Sequence, residues 1–227
     1  MDHVREHRSL LAGVERRLLI HISRRLPAWV TSDRLSALGL LSMLAAAAAF
    51  VAIPRTWWGA PALVAALAAN WFGDSLDGTI ARVRNQQRPR YGYYVDHAID
   101  VAGISALMVG IAASGAMSPA LAMALLAAYL LVCAESYLAT HAVGVFRISF
   151  AGFGPTELRI VLAIGGVALV GHQWIELAGA RVRLFDVGGS VAIAGLVVAF
   201  IASAVRNTVD LHRAEPLPAC QRQERAA

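Results

Sequence analysis

Residues 74–100 carry the most informative pattern in this chain, and they read D-S-L-D-G-T-I-A-R-V-R-N-Q-Q-R-P-R-Y-G-Y-Y-V-D-H-A-I-D. Four aspartates stand at the ends of two long apolar runs, and they are Asp74, Asp77, Asp96 and Asp100. The i, i+3 and i, i+4 spacings put each pair on one face of a helix. Four carboxylates close together beside apolar helices repel one another and are costly to desolvate unless a cation holds them. The stretch therefore predicts a divalent metal site.

The composition around this stretch is typical of a helical membrane protein. Of the 227 residues, 58% are hydrophobic and only 15% are charged. The mean hydropathy is +0.58, and the apolar residues come in runs rather than in alternating stripes. Cys133 and Cys220 form no CxxC or Cys/His cluster, so neither thiol chemistry nor structural zinc is expected. We predict an all-α membrane protein with no nucleic-acid partner.

Six apolar stretches are each near the roughly 20 residues that a membrane-spanning helix requires. We place the spans at about 35–53, 59–81, 94–115, 119–139, 158–175 and 185–205. The fifth stretch has the weakest pattern, because His172, Gln173 and Glu176 fall near its end.

The N-terminal segment, from residue 1 to about residue 26, has the pattern of an amphipathic helix. Arginines separate its apolar residues, which are Leu10, Leu11, Val14, Leu18, Ile22 and Leu26. Such a helix lies in the membrane interface, and a soluble helix that caps the domain is the alternative. We therefore divide the chain into an interfacial helix (1–27), a six-span domain (28–212) and a polar tail (213–227) that is expected to be disordered.

The arginines predict the orientation in the membrane. Seven precede the first predicted span and four lie in the loop after the second, whereas only Arg55, Arg181 and Arg183 fall on the other side. Because cytoplasmic loops are enriched in basic residues, we expect both termini and the aspartates on the cytoplasmic side of the cell (inner) membrane. Antiparallel second and third spans would bring the two aspartate pairs to one depth. Their hard oxygen ligands favour Mg²⁺, Mn²⁺ or Ca²⁺.

The aspartates belong to a longer pattern, D-x2-D-G-x2-A-R-x9-G-x3-D-x3-D, with Gly78, Ala81, Arg82 and Gly92 at its other specified positions. This pattern resembles the signature of the CDP-alcohol phosphotransferases. The resemblance implies a membrane enzyme of phospholipid biosynthesis that transfers a substituted phosphate group from a CDP-alcohol to an acceptor hydroxyl and releases CMP. It implies a CDP-linked alcohol and a lipid as substrates, and a homodimer.

The resemblance also implies a role for each matched residue. Asp74, Asp77 and Asp96 would coordinate two Mg²⁺ (or Mn²⁺) ions on the CDP pyrophosphate. Asp100 would be the general base for the acceptor hydroxyl while also touching one metal. The nucleotide and its phosphates would be contacted by Gly78, Ala81, Arg82 and Gly92.

A second element, T-S-D-R-L-S at residues 31–36, is similar to the family's T-P-N-x-L-T before the first span. The resemblance implies that Thr31 and Asp33 lie near the nucleotide. Asp33 replaces the family's asparagine, so it keeps acceptors and loses the amide donor. The alternative is that Asp33 is only the N-cap of the first span.

The subgroup is indicated by D-H-A-I-D at residues 96–100, which is similar to the D-H-G-C-D of choline and ethanolamine phosphotransferases. Glu135 with Tyr137, and G-P-T-E at residues 154–157, resemble two further elements of that group. His97, Glu135 and Glu157 would then line an acceptor pocket, with a CDP-amino alcohol as donor and a lipid as acceptor. A CDP-diacylglycerol donor with a small polar acceptor is the alternative.

Each of these residues also has a structural interpretation. The side chain of His97 could form a hydrogen bond to the backbone, and residues 154–157 could serve simply as the start of the fifth helix. Arg147 and Arg159 could bind lipid phosphate or anchor loops in headgroups. Among other protein classes, an ion- or proton-coupled carrier would show internal repeats, which are not visible here. An aspartate-dependent prenyltransferase would lack the D-G-x2-A-R element.

Overall fold

The computed structural model describes residues 4–6, 12–147 and 154–215. The described helices are α1 (Ala12–Arg25), α2 (Ser32–Ala52), α3 (Gly59–Val83), α4 (Pro89–Ser114), α5 (Pro119–Val143), α6 (Pro155–Ala168) and α7 (Leu184–Ala214). The described strands are β1 (Val4–Glu6), β2 (Val145–Arg147), β3 (Trp174–Leu177) and β4 (Ala180–Arg183). β1 pairs in parallel with β2, and β3 pairs antiparallel with β4. The chain is thus mainly helical, as predicted.

Four of the described helices are long and apolar enough to cross a membrane, namely α2, α4, α5 and α7. The chain is therefore a multi-pass membrane protein. α3 has 25 residues, but its second half carries the first two aspartates. α6 has only 14 residues, about 21 Å, which is short of the roughly 30 Å of a bilayer core. The six-span count stays a prediction.

Two local predictions are wrong. The fifth span does not continue as helix to residue 175, because α6 ends at Ala168 and a β-hairpin begins at Trp174. Its two-residue turn, Ala178 and Gly179, has positive φ at both positions, which is the geometry that a tight hairpin requires. The N-terminal helix does not start at residue 1, since residues 4–6 pair with β2 as a strand.

Part of each terminus also differs from the prediction or lies outside the described residues. α1 covers the second half of the predicted N-terminal helix. Residues 213 and 214 continue α7, and Glu215 is its C-cap. The predicted disordered tail from residue 216 onward lies outside the described residues. Cys220 is also outside them.

α2 is the central helix, and glycines let its neighbours approach it closely. A Cβ at Gly73 of α3 would lie 2.6 Å from the carbonyl oxygen of Leu35. A Cβ at Gly110 of α4 would lie 2.5 Å from the carbonyl oxygen of Ala47. Only glycine fits at these crossings. α3 runs antiparallel to α2 and α4 runs parallel to it, so the end of α3 and the start of α4 meet beside the start of α2.

The remaining helices pack outside this trio. α5 packs on α4, α7 on α5, and both α1 and α6 on α3. α1 buries Leu19 against a small apolar cluster at the aspartate end of the bundle, together with Val30, Leu35, Leu76 and Ile80. Many large apolar side chains on the outer faces are exposed, as expected for helices that contact lipid.

Arg84, just past the end of α3, holds the connection between α1 and α2. Its guanidinium donates to the carbonyl oxygens of Leu26 at 2.8 Å, Pro27 at 3.0 Å and Val30 at 2.6 Å. These carbonyls lie in the linker between α1 and α2, where one cation thus satisfies several acceptors. The linker between α1 and α2 is thereby fixed to the aspartate end of α3.

Candidate active site

Three of the four predicted aspartates converge. Asp74 on α3 and Asp96 and Asp100 on α4 each offer a carboxylate oxygen, and these oxygens lie within 4.8 Å of one another. Asp74 and Asp96 are half-buried and Asp100 is exposed. Hard carboxylate oxygens at this separation suit Mg²⁺, Mn²⁺ or Ca²⁺, whose ligands lie about 2.0–2.6 Å from the ion. The donor set therefore fits a divalent cation.

Asp77 is held one turn further along α3, outside this group. The hydroxyl of Ser36 donates to its Oδ2 at 2.7 Å, and the backbone N–H of Gly78 donates to its Oδ1. Ser36 belongs to the T-S-D-R-L-S element at the start of α2. The two sequence elements therefore meet, with Ser36 orienting the Asp77 carboxylate.

Arg159 of α6 is a partner of the aspartates that the sequence did not reveal. Its Nη2 donates to Asp74 Oδ2 at 2.5 Å, and its Nε donates to Asn70 Oδ1 at 2.7 Å. Asn70 in turn donates to the carbonyl oxygen of Gly39 at 2.9 Å, which ties the network to α2. In the described structure Arg159 therefore contacts the aspartate centre. Neither interpretation made from the sequence, lipid phosphate or headgroup anchoring, included this contact.

The available signal for this network was the spacing of Asn70 and Asp74. They lie four residues apart, so they share one face of α3 and can bind one guanidinium together. That face could be read from the sequence, but the identity of the arginine could not, because Arg159 lies 85 residues beyond Asp74.

His97 lies beside the centre with its ring between two tyrosines. Its Nδ1 is 2.6 Å from the carbonyl oxygen of Tyr93, which is the backbone bond considered above as an alternative. The ring centroid is 4.1 Å from that of Tyr93 and 4.9 Å, edge to face, from that of Tyr137 on α5. Asp96 Oδ2 is 4.0 Å from the same nitrogen. A tyrosine-lined wall therefore adjoins the carboxylates.

The α5 side of this wall consists of residues spaced four apart, Tyr129, Cys133 and Tyr137. Of these three, Tyr137 lies edge to face against the ring of His97. This face of α5 therefore brings polar side chains to the His97 side of the aspartate centre.

Glu135 points away from that face. It lies two positions from Tyr137, about 200° around the helix. Its Oε1 accepts a hydrogen bond from Asn207 of α7 at 2.7 Å, and both residues are buried. The structure thus brings Glu135 to the α5–α7 interface and not to the aspartates.

Glu157 lies in the first turn of α6. Its Oε2 accepts a hydrogen bond from the backbone N–H of Gly154 at 3.0 Å, which caps the helix. Its buried Oε1 has no hydrogen-bond partner among the described residues. His97, Glu135 and Glu157 therefore lie in three different environments.

The start of α2 carries the candidate nucleotide contacts. Thr31, not Asp33, is the N-cap, because its hydroxyl accepts a hydrogen bond from the N–H of Arg34 at 3.3 Å. Asp33 lies in the first turn and forms an exposed ion pair with Arg88 of the α3–α4 loop. The alternative that Asp33 caps the helix is therefore wrong.

The remaining residues of the pattern lie near the ends of α3 and α4. The nearest neighbour of a Cβ at Gly78 would be the flexible side chain of Arg82, at 3.3 Å, and a Cβ at Gly92 would meet nothing within 4 Å. Packing within the described chain therefore does not require glycine at either position. Arg82 Nη2 donates to the Thr79 hydroxyl at 3.1 Å, and Ala81 is half-buried beside it.

Comparison with known proteins supports the sequence pattern. A family model described as CDP-alcohol phosphatidyltransferase matches residues 26–206. The match contains all four aspartates and Arg159, and it begins just after α1. No match was found among curated protein sequences.

Proposed function

The chain belongs to the CDP-alcohol phosphatidyltransferase family, and from that premise we propose that its aspartates form a metal-dependent centre that transfers a substituted phosphate group and releases CMP. Family membership makes it a transferase of membrane-lipid synthesis that acts on a CDP-alcohol. The observation that carries the metal dependence is the convergence of Asp74, Asp96 and Asp100 within 4.8 Å.

The metal ligands are proposed residue by residue. Asp74, Asp96 and Asp100 hold a divalent ion, and Asp77, oriented by Ser36, completes a site for a second. Mg²⁺ or Mn²⁺ fits this all-carboxylate donor set. When bound, the ions supply positive charge that neutralises the pyrophosphate and stabilises the CMP leaving group.

The side chains perform the remaining steps. Asp100, the exposed carboxylate of the group, accepts the proton of the acceptor hydroxyl as general base. Arg82 binds phosphate as a fixed cation, and Gly78 and Gly92 leave room for the nucleotide to approach. The open space at Gly92 supports its assignment, and at Gly78 the nearest neighbour of a Cβ would be the flexible side chain of Arg82, at 3.3 Å.

Further contacts are proposed at the edges of the site. Ala81 keeps α3 narrow beside Arg82. Thr31 and Asp33 contact the nucleotide, and the ion pair with Arg88 holds the Asp33 carboxylate at the mouth of the site.

For the substrates, we propose a CDP-amino alcohol as donor and a lipid hydroxyl as acceptor. The support is D-H-A-I-D with His97 and its stacked tyrosines, which form an aromatic wall suited to an ammonium head group. Glu135 and Glu157 are proposed for the acceptor pocket on the sequence resemblance alone. CDP-diacylglycerol with a small polar alcohol is the second candidate.

A label-transfer experiment with purified protein tests this proposal. Head-group-labelled CDP-ethanolamine or CDP-choline is supplied with diacylglycerol in one arm, and labelled CDP-diacylglycerol is supplied with small alcohols in the other. We expect label in lipid, with CMP release, in the first arm. Transfer only from CDP-diacylglycerol would refute the head-group assignment, and no CMP release in either arm would refute the reaction.

The orientation of the chain in the membrane is proposed from the distribution of its arginines. The aspartate end carries exposed Arg16, Arg17, Arg24 and Arg25, which favours the cytoplasmic side of the inner membrane for this end and both termini. We further propose six crossings, with α3 and α6 included, and α1 in the membrane interface. The domain limits 1–27, 28–212 and 213–227, and a homodimer, are proposed as expected from the sequence.

A further inference from the structure

Glu15 of α1 joins three helices through one carboxylate oxygen. Its Oε1 accepts hydrogen bonds from Trp71 Nε1 at 2.7 Å, the Ser75 hydroxyl at 3.1 Å and the Thr156 hydroxyl at 3.0 Å. Trp71 and Ser75 lie on α3, and Thr156 lies on α6. Hydrogen bonds to an ionised acceptor are roughly twice as strong as neutral ones, so this is a strong junction.

The junction adjoins the face of α3 that binds Arg159. Asn70 and Asp74 bind Arg159, and the residues that follow each of them, Trp71 and Ser75, bind Glu15. One residue is about 100° around a helix, so the two pairs occupy adjacent faces at the same height.

α6 is therefore fastened to α3 twice. Thr156 and Arg159 lie three residues apart on one face of α6. Arg159 reaches Asp74 directly, at 2.5 Å, and Thr156 reaches α3 through Glu15. The contact through Glu15 restrains the position of α6 beside the Asp74 carboxylate.

We propose that Glu15 is a positioning residue for the metal centre: it fixes α6 against α3 so that Arg159 holds the Asp74 carboxylate in its metal-binding orientation. The inference rests on the proposed metal centre. Glu15 lies outside the segment that the family model matches, so this role is a property of this chain's own N-terminal helix.

The inference predicts a change in metal affinity rather than only a loss of stability. Without the Glu15 junction, the polar contacts that hold α6 on α3 among the described residues are those of Arg159 with Asn70 and Asp74. Asp74 then samples more orientations, and the metal site is less preorganised. Loss of groups that orient metal ligands generally lowers the affinity for the metal.

Metal binding measured without turnover tests this. Purified protein is titrated with Mn²⁺, and free Mn²⁺ is read by electron paramagnetic resonance for the unaltered chain, Glu15→Gln and Thr156→Val. Thr156→Ser, which retains the hydroxyl, and Asp210→Asn, at an exposed ion pair of α7, serve as controls. Thermal unfolding without metal is measured on every variant.

We expect Glu15→Gln and Thr156→Val to weaken Mn²⁺ binding about three- to tenfold, less than the loss for direct partners of metal ligands. Both controls should bind like the unaltered chain. Unchanged affinity in folded Glu15→Gln and Thr156→Val, with or without a lower unfolding temperature, would overturn the inference. If Glu15→Gln does not fold, Thr156→Val decides alone.

The proposed metal centre is tested separately in the same titration. If the unaltered chain does not bind Mn²⁺, or if Asp96→Asn binds it equally well, the metal centre itself is refuted and the role of Glu15 falls with it. Binding that depends on Asp96 but not on Glu15 refutes the positioning role alone.

Discussion

Arg159 Nη2 donates to Asp74 Oδ2 at 2.5 Å, across the contact between α6 and α3. The arginine side chain is only 14% exposed, so water screens this ion pair weakly. Three carboxylates within 4.8 Å repel one another, and the guanidinium offsets part of that repulsion where Asp74 meets Asp96 and Asp100. The aspartate centre thus includes a fixed cation of the protein itself.

The fork shape of Arg159 should matter as well as its charge. Arg159→Lys keeps a positive charge, but a single ammonium does not reproduce the planar fork that reaches Asn70 and Asp74 together. Loss of one charge-assisted hydrogen bond costs about 1.5–3 kcal/mol, so we expect CMP release to fall at least about tenfold.

The matched control for this change is Arg206→Lys. Arg206 forms an exposed i, i+4 pair with Asp210, where substitution should have little effect. The initial rate of CMP release, normalised to the amount of folded protein, is measured for both variants. An Arg159→Lys enzyme as fast as Arg206→Lys would show that the contact has no part in the reaction.

Asp96→Asn should abolish CMP release. The substitution keeps the size of the side chain but removes the negative charge that attracts a divalent cation to this ligand. Asp210→Asn makes the same chemical change at the exposed end of α7 and should leave the rate unchanged. Normal turnover by Asp96→Asn would contradict the assignment of this residue as a metal ligand.

Chelation should reversibly remove activity. All three converging ligands are carboxylates, which bind hard divalent ions and hold them weakly enough for EDTA to compete. We expect CMP release to stop with EDTA and to return on addition of Mg²⁺ or Mn²⁺ in excess of the chelator. A rate indifferent to the chelator would exclude a metal-dependent mechanism.

Local patterns made much of this molecule predictable. The apolar runs indicate the helices, and Pro89 and Pro119 stand at the first positions of α4 and α5, where proline is favoured. The i, i+4 spacing of Asp96 and Asp100 correctly put both on one helix face. These features depend on short-range geometry, which a single sequence contains.

The contacts that the sequence could not predict depend on long-range packing. The contact of Arg159 with Asp74 requires α6 to dock on α3, and nothing in the local pattern of α6 specifies that neighbour. Glu135 needed a polar partner, as a buried carboxylate does, but its helix phase directs it to Asn207 of α7. The hairpin after α6 was missed because residues 158–171 are apolar enough to suggest a longer helix.

Replacement by alanine should have opposite effects on stability at two glycines, because one lies at the close crossing of α2 and α3 and the other faces open space. A Cβ at Gly73 would lie 2.6 Å from the Leu35 carbonyl oxygen, so Gly73→Ala must push the two helices apart. Such overpacking costs about 1–3 kcal/mol. A Cβ at Gly92 of α4 meets nothing within 4 Å, so Gly92→Ala should not destabilise the protein and should gain up to about 1 kcal/mol of helix propensity.

Thermal unfolding of both glycine variants in detergent measures this difference, and CMP release is recorded in parallel. Because α3 carries Asp74 directly after Gly73, displacement of α3 should also reduce the rate of Gly73→Ala. A Gly92→Ala protein that is stable but slow would locate the function of Gly92 in substrate binding, since its side-chain position is open in the folded chain. Equal unfolding temperatures for Gly73→Ala and the unaltered chain would contradict the close α2–α3 crossing on which the position of Asp74 depends.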